Sequence, residues 1–150
     1  MRLALVLTAA VSLSGASSLA AQIALAACPA PQIIGDLGID GLECQGCEIH
    51  GRPRRDESWI RFNGEPRIHS VRPTGPSAGH LEAGDVIVTI DSLPIISRAG
   101  SDRYSRLKPD QPVHLVVRRD GQLVEVRVTA APICGAPSSR YAVRRGVPIT

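Results

Sequence analysis

Toward its C-terminal end the chain alternates with a period of two. Val113, Leu115 and Val117 are separated by more polar neighbours, and Val124, Val126 and Val128 alternate with Glu125, Arg127 and Thr129. Each run predicts a strand with one buried face. Between them, Arg119-Asp120-Gly121-Gln122 carries the Asp-Gly pair of a tight hairpin turn. Val86-Ile87-Val88-Thr89-Ile90, bounded by Gly84-Asp85 and Asp91-Ser92, predicts a short buried strand. Upstream, Ile34 to Glu43 and Trp59 to Val71 predict further strands, with a charged loop from Gly51 to Glu57. Two short helices are expected. One covers about Ser77 to Ala83 and stops at Gly84; the other starts at an N-capping Ser97 and ends before Lys108-Pro109.

The N-terminus follows a different pattern. Met1-Arg2 precedes a run of Leu, Ala and Val broken by Ser12, Ser14, Gly15 and Gln22, the form of a secretory signal peptide. Cleavage after residue 20, 26 or 27 fits the small residues there, so residues 1–27 are set apart from the fold. Residues 28–32 form a linker, 33–130 a mostly β domain, and 131–150, rich in Pro, Ser, Arg and Gly, a flexible tail. The expected location is exported, periplasmic or extracellular. Leu25-Ala26-Ala27-Cys28 also resembles a lipobox, which would anchor the chain to a membrane through Cys28.

Cutting before Cys28 leaves 123 of the 150 residues, enough for one domain with a modest core. The formal charge falls from +3 to +2 with the loss of Arg2. Basic residues are interleaved with acids, and one Trp, one Phe and two Tyr offer no stacking platform, which excludes nucleic acid as a partner. Four cysteines in an exported chain point to disulfides.

Gly75-Pro76-Ser77-Ala78-Gly79 matches the G-x-S-x-G pattern of a hydrolase nucleophile, with His80 and Asp85 close behind. Such an elbow needs a strained turn feeding a substantial helix within a large doubly wound sheet. Only about two turns fit before Gly84, and Asp85 has a structural use in accepting turn amides. Ser77 is therefore read as a turn residue, and no catalytic residue is assigned.

"IHSVRPTGPSAGHLEAGDVIVTIDSLPI" and "SRLKPDQPVHLVVRRDGQLVEVRVTA" together resemble a PDZ domain of the bacterial exported kind, found beside trypsin-like proteases but here standing alone. Gly84-Asp85-Val86-Ile87 followed by Ile90-Asp91 is the most specific part. The sequence departs from the usual Ala-Gly-Leu at Gly79-His80-Leu81. The resemblance implies a mainly β fold with two short helices, in the form of a partly open barrel or sandwich. It implies a binding module rather than an enzyme, without a cofactor or metal. Its partners would be peptide C-termini or extended protein segments, added as a strand to a sheet edge. Asp36-Leu37-Gly38-Ile39 resembles the family's carboxylate-binding loop. By the same resemblance Ile39, Asp40, Gly41 and Leu42 would form the receiving edge, Leu37 and Ile39 the pocket floor, and Gly100, Tyr104 and Leu107 the helix side. Asp36 and Asp40 would repel a carboxylate, which favours basic or internal segments. The protein's own end, Val147-Pro148-Ile149-Thr150, is a further candidate occupant.

Cys44-Gln45-Gly46-Cys47 lies between strands and is flanked by Glu43 and Glu48, unlike a redox pair at a helix start. A structural disulfide is the main reading; thiol–disulfide exchange, or zinc held by Cys44, Cys47, His50 and another ligand, are the alternatives. Because domain termini often lie close together, a Cys28–Cys134 bridge is expected, and lipidation of Cys28 would leave Cys134 unpaired.

Overall fold

The computed structural model describes residues 28, 33–52, 57–134 and 143–144. The expected signal peptide lies outside the described residues, as do linker residues 29–32 and most of the C-terminal tail. In chain order the first strands are β1 (Ile33–Asp36), β2 (Leu42–Glu43), β3 (Glu48–Arg52), β4 (Glu57–Arg61) and β5 (Arg67–Ile68). There follow β6 (Val86–Ile90), β7 (Leu93–Pro94) and helix α1 (Arg98–Ser105). The last strands are β8 (Pro112–Arg119), β9 (Gln122–Thr129), β10 (Ala131–Cys134) and β11 (Val143–Arg144).

The alternation of the C-terminal third becomes the β8–β9 hairpin, paired from Pro112–Thr129 to Arg119–Gln122 across an Asp120-Gly121 turn with positive φ at both residues. Val113, Leu115, Val117, Val126 and Val128 all face the core. β6 joins the other side of β8, with a register shift between Ile87 and Thr89. That bulge turns both Ile87 and Ile90 inward, although they are three residues apart. The main sheet runs β11-β2-β5-β6-β8-β9, with β7 on β6. β1 and β10 form a separate antiparallel pair, tied at its end by the Cys28–Cys134 disulfide. The sheets are open; they do not close into a barrel.

Several elements differ from the expectation. The segment from Ser77 to Ala83 is a series of turns, not a helix. His80 and Leu81 both donate to the Ser77 carbonyl, but Gly79 takes φ +75° and breaks the path after one turn. Ile34 to Glu43 is two short strands separated by the Leu37-Gly38 loop, and Trp59 to Val71 is likewise interrupted between Arg61 and Arg67. The charged loop is narrower than expected, because Gly51-Arg52 and Glu57 belong to the β3–β4 hairpin. Ala131–Cys134, assigned to the tail, is a strand, and Val143–Arg144 forms another within it.

Helix α1 begins at the expected cap: the Ser97 hydroxyl accepts the Gly100 N–H at 3.0 Å. Its buried face is unusually polar. Ser101 accepts the Phe62 N–H at 3.1 Å and Ser105 accepts the Ile60 N–H at 3.0 Å, so the hydroxyls stitch the helix to β4 and the residue after it. Ile60 and Phe62 are thereby held fully inside the core, with Phe62 edge-on to Tyr104. Asp91 ties the same helix to the sheet, taking Arg103 at 2.6 Å and the His114 N–H at 2.8 Å.

Asp85 of the Gly-Asp signature is 1% exposed. Its carboxylate accepts the Glu82 N–H at 2.9 Å and two Arg119 hydrogen bonds at 2.7 Å each. Burial alone would raise its pKa, but Arg119 and the Glu82 amide outweigh burial and hold the carboxyl below its ordinary range. Because the folded-state pKa is depressed, the stabilisation is present above the unfolded carboxylate pKa, near ~4, and is lost as pH falls through the folded value. Asp85→Asn is expected to cost about 3 kcal/mol at neutral pH and to flatten the acid-side decline in stability. Urea unfolding at neutral pH and at about pH 3 measures both effects. Wild-type stability in the variant would show that the turn does not rest on this ion pair.

Candidate functional site

The loop after β1 is set by a close backbone contact. Gly38 takes φ +76°, and a Cβ there would lie 2.8 Å from the Gly75 Cα. The converse holds too, since a Cβ on Gly75 would lie 2.9 Å from the Gly38 Cα. Arg72 N–H donates to the Gly38 carbonyl at 2.8 Å and Ser77 N–H to the Leu37 carbonyl at 3.2 Å. The turn holding Ser77 thus serves as the bed of the loop. Ser77 itself is fully buried, and its hydroxyl has no hydrogen-bond partner, imidazole included. It lacks both the exposure and the base that a nucleophile needs.

Residues 38–43 then run antiparallel to 67–72, with Ile39 opposite Val71, Leu42 opposite Ile68 and Glu43 opposite Arg67. Asp40 donates its N–H to Ser70 at 2.8 Å, and Gly41 accepts from His69 at 3.0 Å. One side of this strand is therefore committed to β5. The other side of β2 carries β11: Val143 pairs with Leu42 and Arg144 with Glu43, in parallel. The edge that would receive a peptide is covered by a strand from the chain's own C-terminal segment.

The loop's charge is also balanced internally. Asp36 accepts the Gly38 N–H at 2.9 Å and is paired with Arg72, which reaches Asp40 at 3.1 Å. An internal carboxylate thus occupies a loop amide that an incoming carboxylate would seek. Leu37, Ile39, Tyr104 and Leu107 do converge, around a cavity of about 10 Å3. That is too small for a side chain, and all four residues are buried. Gly100 does not join them: its open side faces the Pro94 carbonyl and Ile95, where β7 packs against the helix. Leu37, at 3% exposure, is a core residue as well as a loop residue.

Cys44 and Cys47 form a disulfide that closes the turn between β2 and β3. The Cys44 sulfur lies 3.3 Å from the Gly64 carbonyl, and Asn63 donates to the Gly46 carbonyl at 2.6 Å. The clasp thus fastens the end of β2 to the approach to β5. Cys44 is buried and, among the described residues, no helix N-terminus lies beside the pair, so the features that activate a redox thiol are not assembled among them. With both sulfurs bonded to each other, neither is available as a zinc ligand.

A glycine loop leading into a sheet edge beside a short helix is the arrangement of a strand-addition binding module. The PDZ domain family matches residues 35–130, and the chain belongs to that family. No curated protein sequence matches the chain. Among solved structures, it is similar to a serine endoprotease from Yersinia pestis, at 21% identity and a TM-score of 0.45, over 68% of this chain and 30% of that one. The HtrA-type protease AlgW with decapeptide is 27% identical, with a TM-score of 0.43, over 69% and 30%. A variant of AlgW with tripeptide is 24% identical, with a TM-score of 0.46, over 81% and 39%. The chain spans roughly a third of the length of these solved structures.

β11 and the β3–β4 hairpin were not legible at the sequence level. Val143 belongs to no alternating run, whereas the two-residue spacing of Ile60 and Phe62 was a usable sign of an inward-facing strand. Gly38→Ala is expected to destabilise the domain by about 2–4 kcal/mol, combining a disfavoured φ with the clash on Gly75. Gly79→Ala has nearly the same φ but nothing within 4 Å of the added Cβ, and is expected to cost about 1 kcal/mol. Chemical denaturation of the two variants separates the contact from the φ penalty. Equal losses would show that the Gly38–Gly75 approach carries no energy of its own.

Proposed function

We propose that this chain is an exported PDZ module that binds extended polypeptide segments by adding them as a strand to the outer edge of β2. The observation that carries the reading is that this edge already accepts a strand, Val143–Arg144 against Leu42–Glu43. Backbone pairing supplies the affinity and needs no deep pocket. The filled space between Leu37 and Tyr104, and the Asp36 bond to the Gly38 amide, favour internal segments over captured C-termini. Asp40 and Glu43 present carboxylates beside the edge, with side chains about half exposed. Basic segments therefore fit better than acidic ones, and Arg144 of the resident strand has that character. No catalytic residue enters this reading. The peptide complexes of the HtrA-type proteases are consistent with it.

The resident segment competes with any ligand for the edge, so the apparent affinity of the full chain is lowered by the fraction of time the edge is covered. Export belongs to the same reading, because two disulfides persist in an oxidising compartment. Cys28 bonded to Cys134 supports a soluble form over a lipid-bearing one.

A labelled Arg-rich extended peptide with a blocked C-terminus tests the proposal by fluorescence anisotropy. A chain ending after Gly135, which keeps both disulfides, is expected to bind at least about tenfold more tightly than the chain through Thr150. Asp40→Lys with Glu43→Lys is expected to weaken binding by a similar factor. Binding of the peptide by neither form would overturn the assignment. Equal binding by both forms would leave the edge as the site and remove the competition.

A further inference from the structure

A second concavity, of about 300 Å3, lies between α1 and the β3–β4 hairpin, on a different face of the helix from Tyr104 and Leu107. Arg98, Asp102 and Arg106, at i, i+4 and i+8, form its helical wall, and Arg61 faces them from β4. Trp59 and His50 make an aromatic side wall, stacked with ring centroids 5.4 Å apart and planes 16° from parallel. Among the described residues that line it, three guanidiniums meet one carboxylate, and that carboxylate lies 3.9 Å from Arg98. The guanidiniums of Arg61 and Arg106 have no hydrogen-bond or ion-pair partner among the described residues. Of the other arginines whose side chains are described, Arg67 donates to the Gly84 carbonyl and Arg72, Arg103, Arg118 and Arg119 to carboxylates, while Arg127 stands apart on β9. Two unpaired guanidiniums thus face one cavity, beside a third that is loosely paired.

We infer that this cavity is a second binding site, for an acidic segment of a partner polypeptide. Guanidinium forks fit carboxylates two bonds at a time, and concave walls strengthen the attraction. The spread of the charges decides the class of ligand. Arg98 opens α1 and Arg106, eight residues on, is its C-cap, a rise of about 12 Å. One phosphate is too small to bridge them, whereas carboxylates on alternate residues of an extended chain repeat every ~7 Å and reach both ends. The Trp59 and His50 rings offer a flat surface for the aliphatic stems of glutamates. The ligand is opposite in charge to the one proposed for the β2 edge, so each site rejects the other's partner. This inference stands independently of the edge reading.

Trp59 is the chain's one tryptophan, so its fluorescence reports on this cavity. The full oxidised chain is titrated at low salt with a peptide carrying glutamate at alternate positions, with its glutamine counterpart, and with inorganic phosphate. The expected result is a saturable change with the glutamate peptide alone, weakened at least about tenfold by 0.5 M salt. Arg61→Gln with Arg106→Gln is expected to weaken it at least about tenfold, and Arg127→Gln, on β9, to leave it unchanged. Should the double variant fail to fold, the glutamine peptide and the salt series on the unaltered chain still decide the matter. Equal response to the glutamine peptide, saturation by phosphate at the same concentration, salt-independent binding, or no saturable change would each overturn the inference.

Discussion

The near-contact of Gly38 and Gly75 is the constraint from which the course of β2 follows. Two backbones approach so closely that neither residue can carry a side chain, and the positive φ of Gly38 redirects the chain as it leaves β1. Arg72 and Ser77 then take the carbonyls on either side of the contact. The turn from Arg72 to Ser77 and the loop from Asp36 to Ile39 therefore form one rigid unit. From it the strand leading to Leu42 emerges with one side on β5 and the other on β11. The hydrolase-like spacing around Ser77 is a consequence of the same constraint: small residues are needed where two backbones touch.

Charge is distributed around this unit in three separately balanced groups. Arg72 answers Asp36 and Asp40 at the loop; Arg119 answers Asp85 and Glu82 at the second turn; Arg103 answers Asp91 between helix and sheet. Each group fastens a junction between elements, and Asp85 does so from a buried position. Acids remain exposed along β2, and unpaired arginines remain between α1 and β4. The domain thus presents surfaces of opposite sign, acids along β2 and arginines between α1 and β4.

Much of this architecture was legible from local chemistry. The β8–β9 hairpin follows from strict alternation and an Asp-Gly turn, and the start of α1 from a serine cap; both depend on interactions within a few residues. Leu37 and Ile39 of the loop meet Tyr104 and Leu107 around one small cavity. Gly100 lies apart from them, because whether a helical glycine faces a groove or a neighbouring backbone depends on what packs there. The helix expected from Ser77 to Ala83 failed for a similar reason. Its composition permits a helix, but Gly79 and the docking of Ser77 on the Leu37 carbonyl fix it as turns.

What the sequence determined by itself is therefore the period of each strand, the turns between close neighbours and the family to which they add up. Pairing between distant segments was decided only in three dimensions. Val143–Arg144 meets Leu42–Glu43 a hundred residues away in the chain through backbone groups that every residue possesses, so no side-chain pattern announces it. The gathering of Arg61 with Arg98 and Arg106 is of the same kind. Each is an ordinary surface arginine in the sequence, and only the packing of a hairpin against a helix brings the three around a single aspartate.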